Sequence, residues 1–251
     1  MEHVDRSMDE PCPDRVTELF GDRSDLAYSY ARHLATTGVD HGLLGPREIP
    51  RMWDRHLLNC AVMAPALPQG ATVADIGSGA GLPGLVLAIA RPDIAMTLVE
   101  PLQRRTRWLT DVVADLGLEV EVRQAKAETL WDVLSVDVVT ARAVASLGEL
   151  ARMSLPLLSV GGLMIAMKGD RASDEVAADR ETLTSLGVSS IDVTTWGHGV
   201  TSEPTTTVMM TLGSEAPRWR NPVGDGPART AARKKERRKT RSAQRRQTDQ
   251  G

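Results

Sequence analysis

Asp75, Gly77, Gly79, Gly81, Gly84 and Glu100 are the residues of this chain whose types and spacing could do chemistry together. Five of them stand in one run, Val73-Ala-Asp75-Ile-Gly77-Ser-Gly79-Ala-Gly81-Leu82-Pro83-Gly84, and Glu100 ends the next apolar run, 19 residues beyond Gly81. Glycines let the chain turn tightly and bring backbone against a ligand. Pro83 suits the first turn of a following helix, where its missing N–H costs nothing. A carboxylate at the position of Glu100 can accept both hydroxyls of a ribose. The group therefore points to a nucleoside-containing cofactor, and two readings are open. Gly79-x-Gly81-x-x-Gly84 matches the dinucleotide fingerprint, and Glu100 has the spacing expected for NAD. Asp75, however, lies inside the end of a strand, two residues before Gly77, and an acid there followed by GxGxG is the pattern of S-adenosylmethionine binders. Such an acid can organise the loop and face the positively charged methionine portion. Nothing in the turn needs to grip a pyrophosphate, and no second substrate domain is evident, so the methyl donor is favoured. A bare tight turn would require neither three spaced glycines nor two acids.

These residues need a strand before the turn and a helix after it, and the hydrophobic pattern supplies both. Strands are predicted at 72–76, 95–100, 119–123, 136–140, 163–167, 188–195 and 206–212, with helices at 85–91, 102–116, 147–158 and 174–186. Gly117 suits the end of the second of these helices. Gly161-Gly162 reads as a turn into the fifth strand. Alternation of strand and helix implies a parallel sheet covered on both faces. Two closing strands with no clear helix between them imply an antiparallel hairpin. The fold class is thus α/β, with a Rossmann-like, seven-stranded, mostly parallel sheet preceded by a helical N-terminal extension. The expected division is 1–69 for that extension, 70–214 for the cofactor-binding domain and 215–251 for a basic tail, disordered when free. In the extension, Trp53, His56, Leu57 and Cys60 share one helical face.

Other positions offer further chemistry. Ala127 and Glu128 follow the third strand, where this fold commonly meets an adenine ring; the spacing alone also fits a helix start with an acidic first turn. Arg142 is the strong polar group at the carboxyl end of the fourth strand, beside the point where open α/β sheets place ligands. That segment contains no Asn/Asp-Pro-Pro-Tyr/Phe and no Pro-Cys, which argues against exocyclic-amine and cytosine-C5 methyl transfer. Arg104, Arg105 and Arg107 crowd the start of the helix after Glu100, and with Lys126 they form a candidate RNA-phosphate surface or a solvated face. His56 lies on an apolar face, where a core histidine is commoner than a catalytic one. Trp108 is expected in the core.

The two cysteines, Cys12 and Cys60, form no CxxC pair and no Cys/His cluster, so no metal site or disulfide framework is expected. A reducing cytoplasm is the simplest compartment. The acidic, proline-broken N-terminus does not read as a signal peptide. The longest apolar stretches, 82–90 and 155–167, fall short of the ~18 residues of a membrane span. The net charge of −3 conceals an asymmetry: 218–251 hold 12 Lys/Arg against 3 Asp/Glu, whereas 1–217 hold 18 against 30. A tail of +9 on a body of −12 suggests contact with a polyanion.

Asp75-Ile-Gly-Ser-Gly-Ala-Gly-Leu-Pro-Gly84, Ala90-Arg-Pro-Asp93, Arg104-Arg-Thr-Arg-Trp-Leu109 and Ala141-Arg-Ala-Val-Ala-Ser-Leu147 together resemble the GidB/RsmG family. Arg55-His56-Leu-Leu and Lys168-Gly169 agree, and the resemblance spans about 13–212. It implies methyl transfer from S-adenosylmethionine to N7 of a guanine in 16S rRNA, presented as rRNA or as the small ribosomal subunit, by a protein expected to be monomeric. It also implies that Gly77, Leu82, Ala127 and Glu128 contact the cofactor, joined by Asp75, Gly79, Gly81 and Glu100 from the turn, and that Arg142 lies in the cofactor or substrate pocket. The chain departs from the family pattern at Asn59-Cys60, where Asp-Ser is usual, and at Lys126, where arginine is usual; the basic tail is not part of the common core. Guanine N7 carries an in-plane lone pair and no proton, so no general base is expected. An NAD-dependent oxidoreductase and a non-catalytic ribosome-binding or RNA-binding protein are the alternatives.

Overall fold

The computed structural model describes residues 11, 13–142 and 145–214. Helix α1 (Pro13–Phe20) leads through a 3₁₀ turn into α2 (Ser24–His33), which widens into π-helical turns at Leu34–Gly38. A 3₁₀ segment (Pro46–Arg51), π-helical turns (Trp53–Leu58) and the short α3 (Asn59–Ala61) complete the N-terminal region. Then follow β1 (Thr72–Ile76), α4 (Gly84–Ala90), β2 (Ala95–Val99), α5 (Gln103–Asp115), β3 (Val120–Arg123), β4 (Val136–Arg142), α6 (Leu147–Ser154), β5 (Leu158–Lys168), α7 (Ala172–Ser185), β6 (Val188–Trp196) and β7 (Thr205–Leu212). All seven predicted strands are present, in the order β3-β2-β1-β4-β5-β7-β6, with β7 antiparallel to both neighbours.

The inner strands are apolar on both faces because both are covered. Side chains alternate across the sheet. Val73, Met96, Leu98, Val138 and Ile165 join a core with the N-terminal helices, α4 and α5. Ala74, Ile76, Val99, Val139 and Met164 face the opposite way, toward α6 and α7. The N-terminal helices thus share the body's core: Val16, Tyr30, Leu34 and Met52 are fully buried within it. Trp53 is also buried and meets Tyr28 edge-on, with ring centroids 4.9 Å apart.

Three boundaries differ from the sequence expectation. The N-terminal region is not continuously helical: it turns at 41–45, and Pro46, Pro50 and Pro65 hold its later turns to short 3₁₀ pieces. The helix expected at 147–158 ends at Ser154, and Pro156 sits in a 3₁₀ turn (Leu155–Leu157). Strand β5 begins at Leu158, not 163. Gly161 (φ 80°) and Gly162 lie in an irregularity inside it, where pairing jumps from Val136↔Leu158 to Val138↔Leu163. A Cβ on Gly162 would stand 2.7 Å from the Ser159 carbonyl, so the close backbone approach of the bulge needs glycine. The basic tail lies outside the described residues. Among the described residues no helix is long and apolar enough to cross a membrane.

Candidate active site

The sheet order reverses at β1, whose neighbours are β2 and β4. Ligands bind open α/β sheets outside the carboxyl ends of the strands at such a point. There a cavity of about 500 Å³ is lined by Ile76 and Gly77 from β1, Val99 and Glu100 from β2, Leu102 and Arg105 at the start of α5, and Ala125, Lys126, Ala127 and Glu128 after β3.

The loop from β1 to α4 is tied at every turn. Gly77 and Ser78 both donate their N–H to the Val99 carbonyl (2.8 and 3.2 Å). Gly77, Gly79 and Gly81 have φ of 69°, 58° and 88°, in the left-handed region that favours glycine. Asp75 is fully buried behind the loop. Its Oδ2 accepts the Gly84 N–H (3.2 Å) and its Oδ1 the Thr140 hydroxyl (3.1 Å), across the β1–β4 pair in which the two residues are in register. Burial raises the Asp75 carboxyl to about 6, against the hydrogen bonds from Ser78, Thr140 and Gly84 that lower it. Gly84 must be glycine because a Cβ would lie 2.4 Å from Leu98 Cδ2 and 2.7 Å from Asp75 Oδ2.

Glu100 is 1% exposed. Its Oε2 accepts the Gly79 N–H (3.0 Å) and its Oε1 the Leu102 N–H (2.9 Å), while Arg105 Nη1 stands 3.7 Å from Oε2. Each carboxylate oxygen retains further acceptor capacity. Arg105 Nε is buried without a hydrogen-bond partner.

Arg142 ends β4 and reaches the N-terminal region. Its Nη2 donates to His56 Nδ1 (2.9 Å) and to the Arg55 carbonyl (3.3 Å), and its Nη1 approaches Cys60 Sγ (3.4 Å). Because a guanidinium can only donate, His56 Nδ1 accepts, and Nε2 carries the proton that His56 gives to Glu48 Oε2 at 2.9 Å. Burial and the Arg142 charge hold the His56 imidazole below its usual range. Burial raises Glu48, but the His56 hydrogen bond and the Arg55 and Arg51 charges outweigh it, and its carboxyl lies low.

The structure thus gathers Gly77, Glu100, Lys126, Ala127 and Glu128 on one cavity. Asp75 buttresses the loop from behind. Gly79 meets the cavity only through Glu100, and Gly81 and Leu82 pack inward, Leu82 being 9% exposed. Arg142 is off the cavity wall, held by His56. The expected arginine group is split: Arg104 and Arg107 are exposed, whereas Arg105 turns toward Glu100. Trp108 is in the core and donates to Thr37 (2.9 Å).

A family model, GidB, described as rRNA small subunit methyltransferase G, matches residues 23–202. The chain belongs to the rRNA small subunit methyltransferase G family. It is 49% identical to the ribosomal RNA small subunit methyltransferase G of Renibacterium salmoninarum over 209 residues, covering 82% of this chain and 97% of that one. Against the protein of the same name from Pseudarthrobacter chlorophenolicus it is 52% identical over 196 residues, 78% and 91% of the two chains. Among solved structures, NSun6 from Pyrococcus horikoshii, described as with SFG, superposes with a TM-score of 0.51 at 13% identity, over 63% of this chain and 52% of that one. At that identity the likeness speaks for the fold. Membership of a methyltransferase family makes this chain a methyltransferase and leaves the oxidoreductase and non-catalytic readings without support.

Three residues that contact the glycine loop, Asp75 or His56 were not singled out from sequence. Thr140 is only the last residue of the strand expected at 136–140. Glu48 lies outside the glycine-loop pattern altogether. Tyr30 showed only helical periodicity, yet its hydroxyl donates to the Ala80 carbonyl in the glycine loop (2.6 Å). Its signal, a polar-tipped ring on an apolar face, is shared by many core tyrosines.

Proposed function

We propose that this methyltransferase binds S-adenosylmethionine in the cavity over β1–β3 and methylates N7 of a guanine in 16S rRNA. The carrying observation is the cavity at the switch point of a methyltransferase-family chain, with the buried Glu100 carboxylate on its wall. The residues fit the cofactor: Glu100 has acceptor capacity for a ribose, Ala127 and Glu128 offer backbone to an adenine edge, and the orphaned Arg105 Nε lacks a partner that a polar ligand would supply. Gly77 lets the chain pass close to the ligand. Asp75, Gly79, Gly81 and Leu82 hold the loop in shape.

S-adenosylmethionine supplies an electrophilic methyl group on a sulfonium. Guanine N7 offers a lone pair in the ring plane and carries no proton, so no side chain needs to remove one. The work of the chain is alignment of the nucleophile and exclusion of water. Arg142 stands at the end of β4, next to the cavity strands, to position the base. His56 is a positioning residue: its neutral ring ties Arg142 to Glu48. A purine N7 inside a helix is reached only when the base is unpaired or turned out of its stack.

The division into an extension (1–69), a methyltransferase domain (70–214) and a basic tail (215–251) accompanies this reading, as do a monomeric, cytoplasmic protein and a small-subunit substrate. The tail adds sequence-independent affinity that falls with salt. The test is transfer of labelled methyl from S-adenosylmethionine to small ribosomal subunits lacking base methylation, with nucleoside analysis. Label in 7-methylguanosine is expected, and Gly77→Asp should abolish it. Label in a different nucleoside would overturn the target atom.

A further inference from the structure

Three arginines outside the cofactor cavity recur at intervals of four residues: Arg47, Arg51 and Arg55. All three are exposed, while Ile49, Met52, Trp53, Leu57 and Leu58 between and after them are buried. The segment therefore has one apolar side sunk in the core and one cationic side in solvent. Its place in the fold gives that charge a direction. The Arg55 carbonyl and His56 accept hydrogen bonds from Arg142, so the segment that carries these arginines borders the carboxyl end of β4. The cofactor cavity lies over the ends of β1, β2 and β3. A base approaching that cavity from the β4 side must cross this rim.

The acids on the rim offset it only in part. Glu48 is engaged by His56 (2.9 Å) and by Arg55 (3.5 Å). Asp54 accepts the Ser202 N–H (2.9 Å) and the Ser202 hydroxyl, which fastens the β6–β7 connection to the same segment. Glu48 balances Arg55, and Asp54 keeps its charge while it accepts from Ser202, so three guanidiniums face two carboxylates and the excess positive charge sits with the exposed Arg47 and Arg51. Arginine forks bind phosphate oxygens in pairs of parallel hydrogen bonds.

We infer that Arg47, Arg51 and Arg55 form the surface on which the RNA backbone docks, beside the Arg142 end of β4. The inference rests on the proposed RNA methylation and deepens it by naming the docking face. It is a different face from that of the exposed Arg104 and Arg107 of α5.

The test is direct binding of the full-length protein to 16S rRNA by filter retention over a range of salt, with methyl transfer and cofactor affinity measured alongside. The variants are Arg47→Ala/Arg51→Ala/Arg55→Ala, the corresponding triple lysine variant, and Arg104→Ala/Arg107→Ala. Each lost phosphate contact should lower the slope of log affinity against log salt by about 0.7–0.9. The triple alanine variant is expected to lose about 2 from that slope and at least tenfold in RNA affinity, with cofactor affinity within twofold of wild type. The lysine variant should recover the slope, since it restores charge without the fork. An unchanged slope in the triple alanine variant overturns the inference, as does a larger loss in Arg104→Ala/Arg107→Ala, or a parallel loss of cofactor affinity. Wild-type protein that binds RNA through the three arginines but transfers no methyl group leaves the docking surface standing and overturns the proposed function.

Discussion

Asp75→Asn separates what the buried carboxylate does for folding from what it does for the ligand. Burial lifts the Asp75 carboxyl from its ordinary 3.8 to about 6 in the fold. The folded value is raised, so the contribution to stability is full below pH 3.8 and is lost as pH rises through 6. The loss reaches about 3 kcal/mol, from roughly 2 pH units at 1.36 kcal/mol each. Some of it has already accrued at pH 5; about 1.4 kcal/mol more should be lost between pH 5 and 7.5. Asparagine has no such dependence. Its carbonyl can keep the Gly84 N–H, and its amide can donate to Thr140, whose hydroxyl can reverse its role. Urea unfolding of both proteins at pH 5 and 7.5 is the assay. The variant should gain about 1.4 kcal/mol on wild type between the two pH values, while binding S-adenosylmethionine more weakly. An identical pH dependence in the two proteins would refute the reasoning, because the ionised carboxylate would then carry no burial cost.

Gly84→Ala should destabilise the chain by about 1–3 kcal/mol, since the new methyl meets Leu98 and Asp75 in a filled core; a shift of the urea midpoint measures it. Tyr30→Phe leaves the Ala80 carbonyl without its donor and should cost about 1–3 kcal/mol, read by the same unfolding curves together with a rise in cofactor Kd. Glu100→Gln should weaken S-adenosylmethionine at least tenfold, about 1.4 kcal/mol, in calorimetric titration, because one carboxylate acceptor becomes a donor facing Gly79 or Leu102. His56→Ala should release Arg142 and lower kcat for RNA with little change in cofactor affinity, measured by steady-state methyl transfer.

The parts of the fold that were legible in sequence were those with a strong period. Strand β1 is legible at 72–76 and β7 to within a residue, because Gly70 and Gly77 bound the first and Pro204 and Gly213 the second. The pairing of Asp75 with Gly84 was not legible, since it depends on how the loop folds back over nine residues. The Gly161-Gly162 bulge looked like a turn because two glycines serve both purposes, and only the register between β4 and β5 distinguishes them. Arg142 stands out in the sequence because the end of a strand is a privileged position. Its partners His56 and Glu48 were not assigned to it, because they lie 86 and 94 residues upstream and meet it only through tertiary packing. Arg105 groups with Arg104 and Arg107 by its place at the start of one helix, but in the fold it turns toward Glu100.

The hydroxyl of Tyr30 on Ala80 links a helix near the start of the chain to the loop that carries the cofactor pocket. Whatever coupling this contact gives between loop and helix acts equally in both directions. Ligand occupancy should be visible as slower amide exchange in Ser24–His33. Conversely, a disturbance on the outer face of α2 would be felt as a change in cofactor affinity. The N-terminal helices are thus a handle on the active site, and a fragment that begins at the first strand would lose the grip along with the helices.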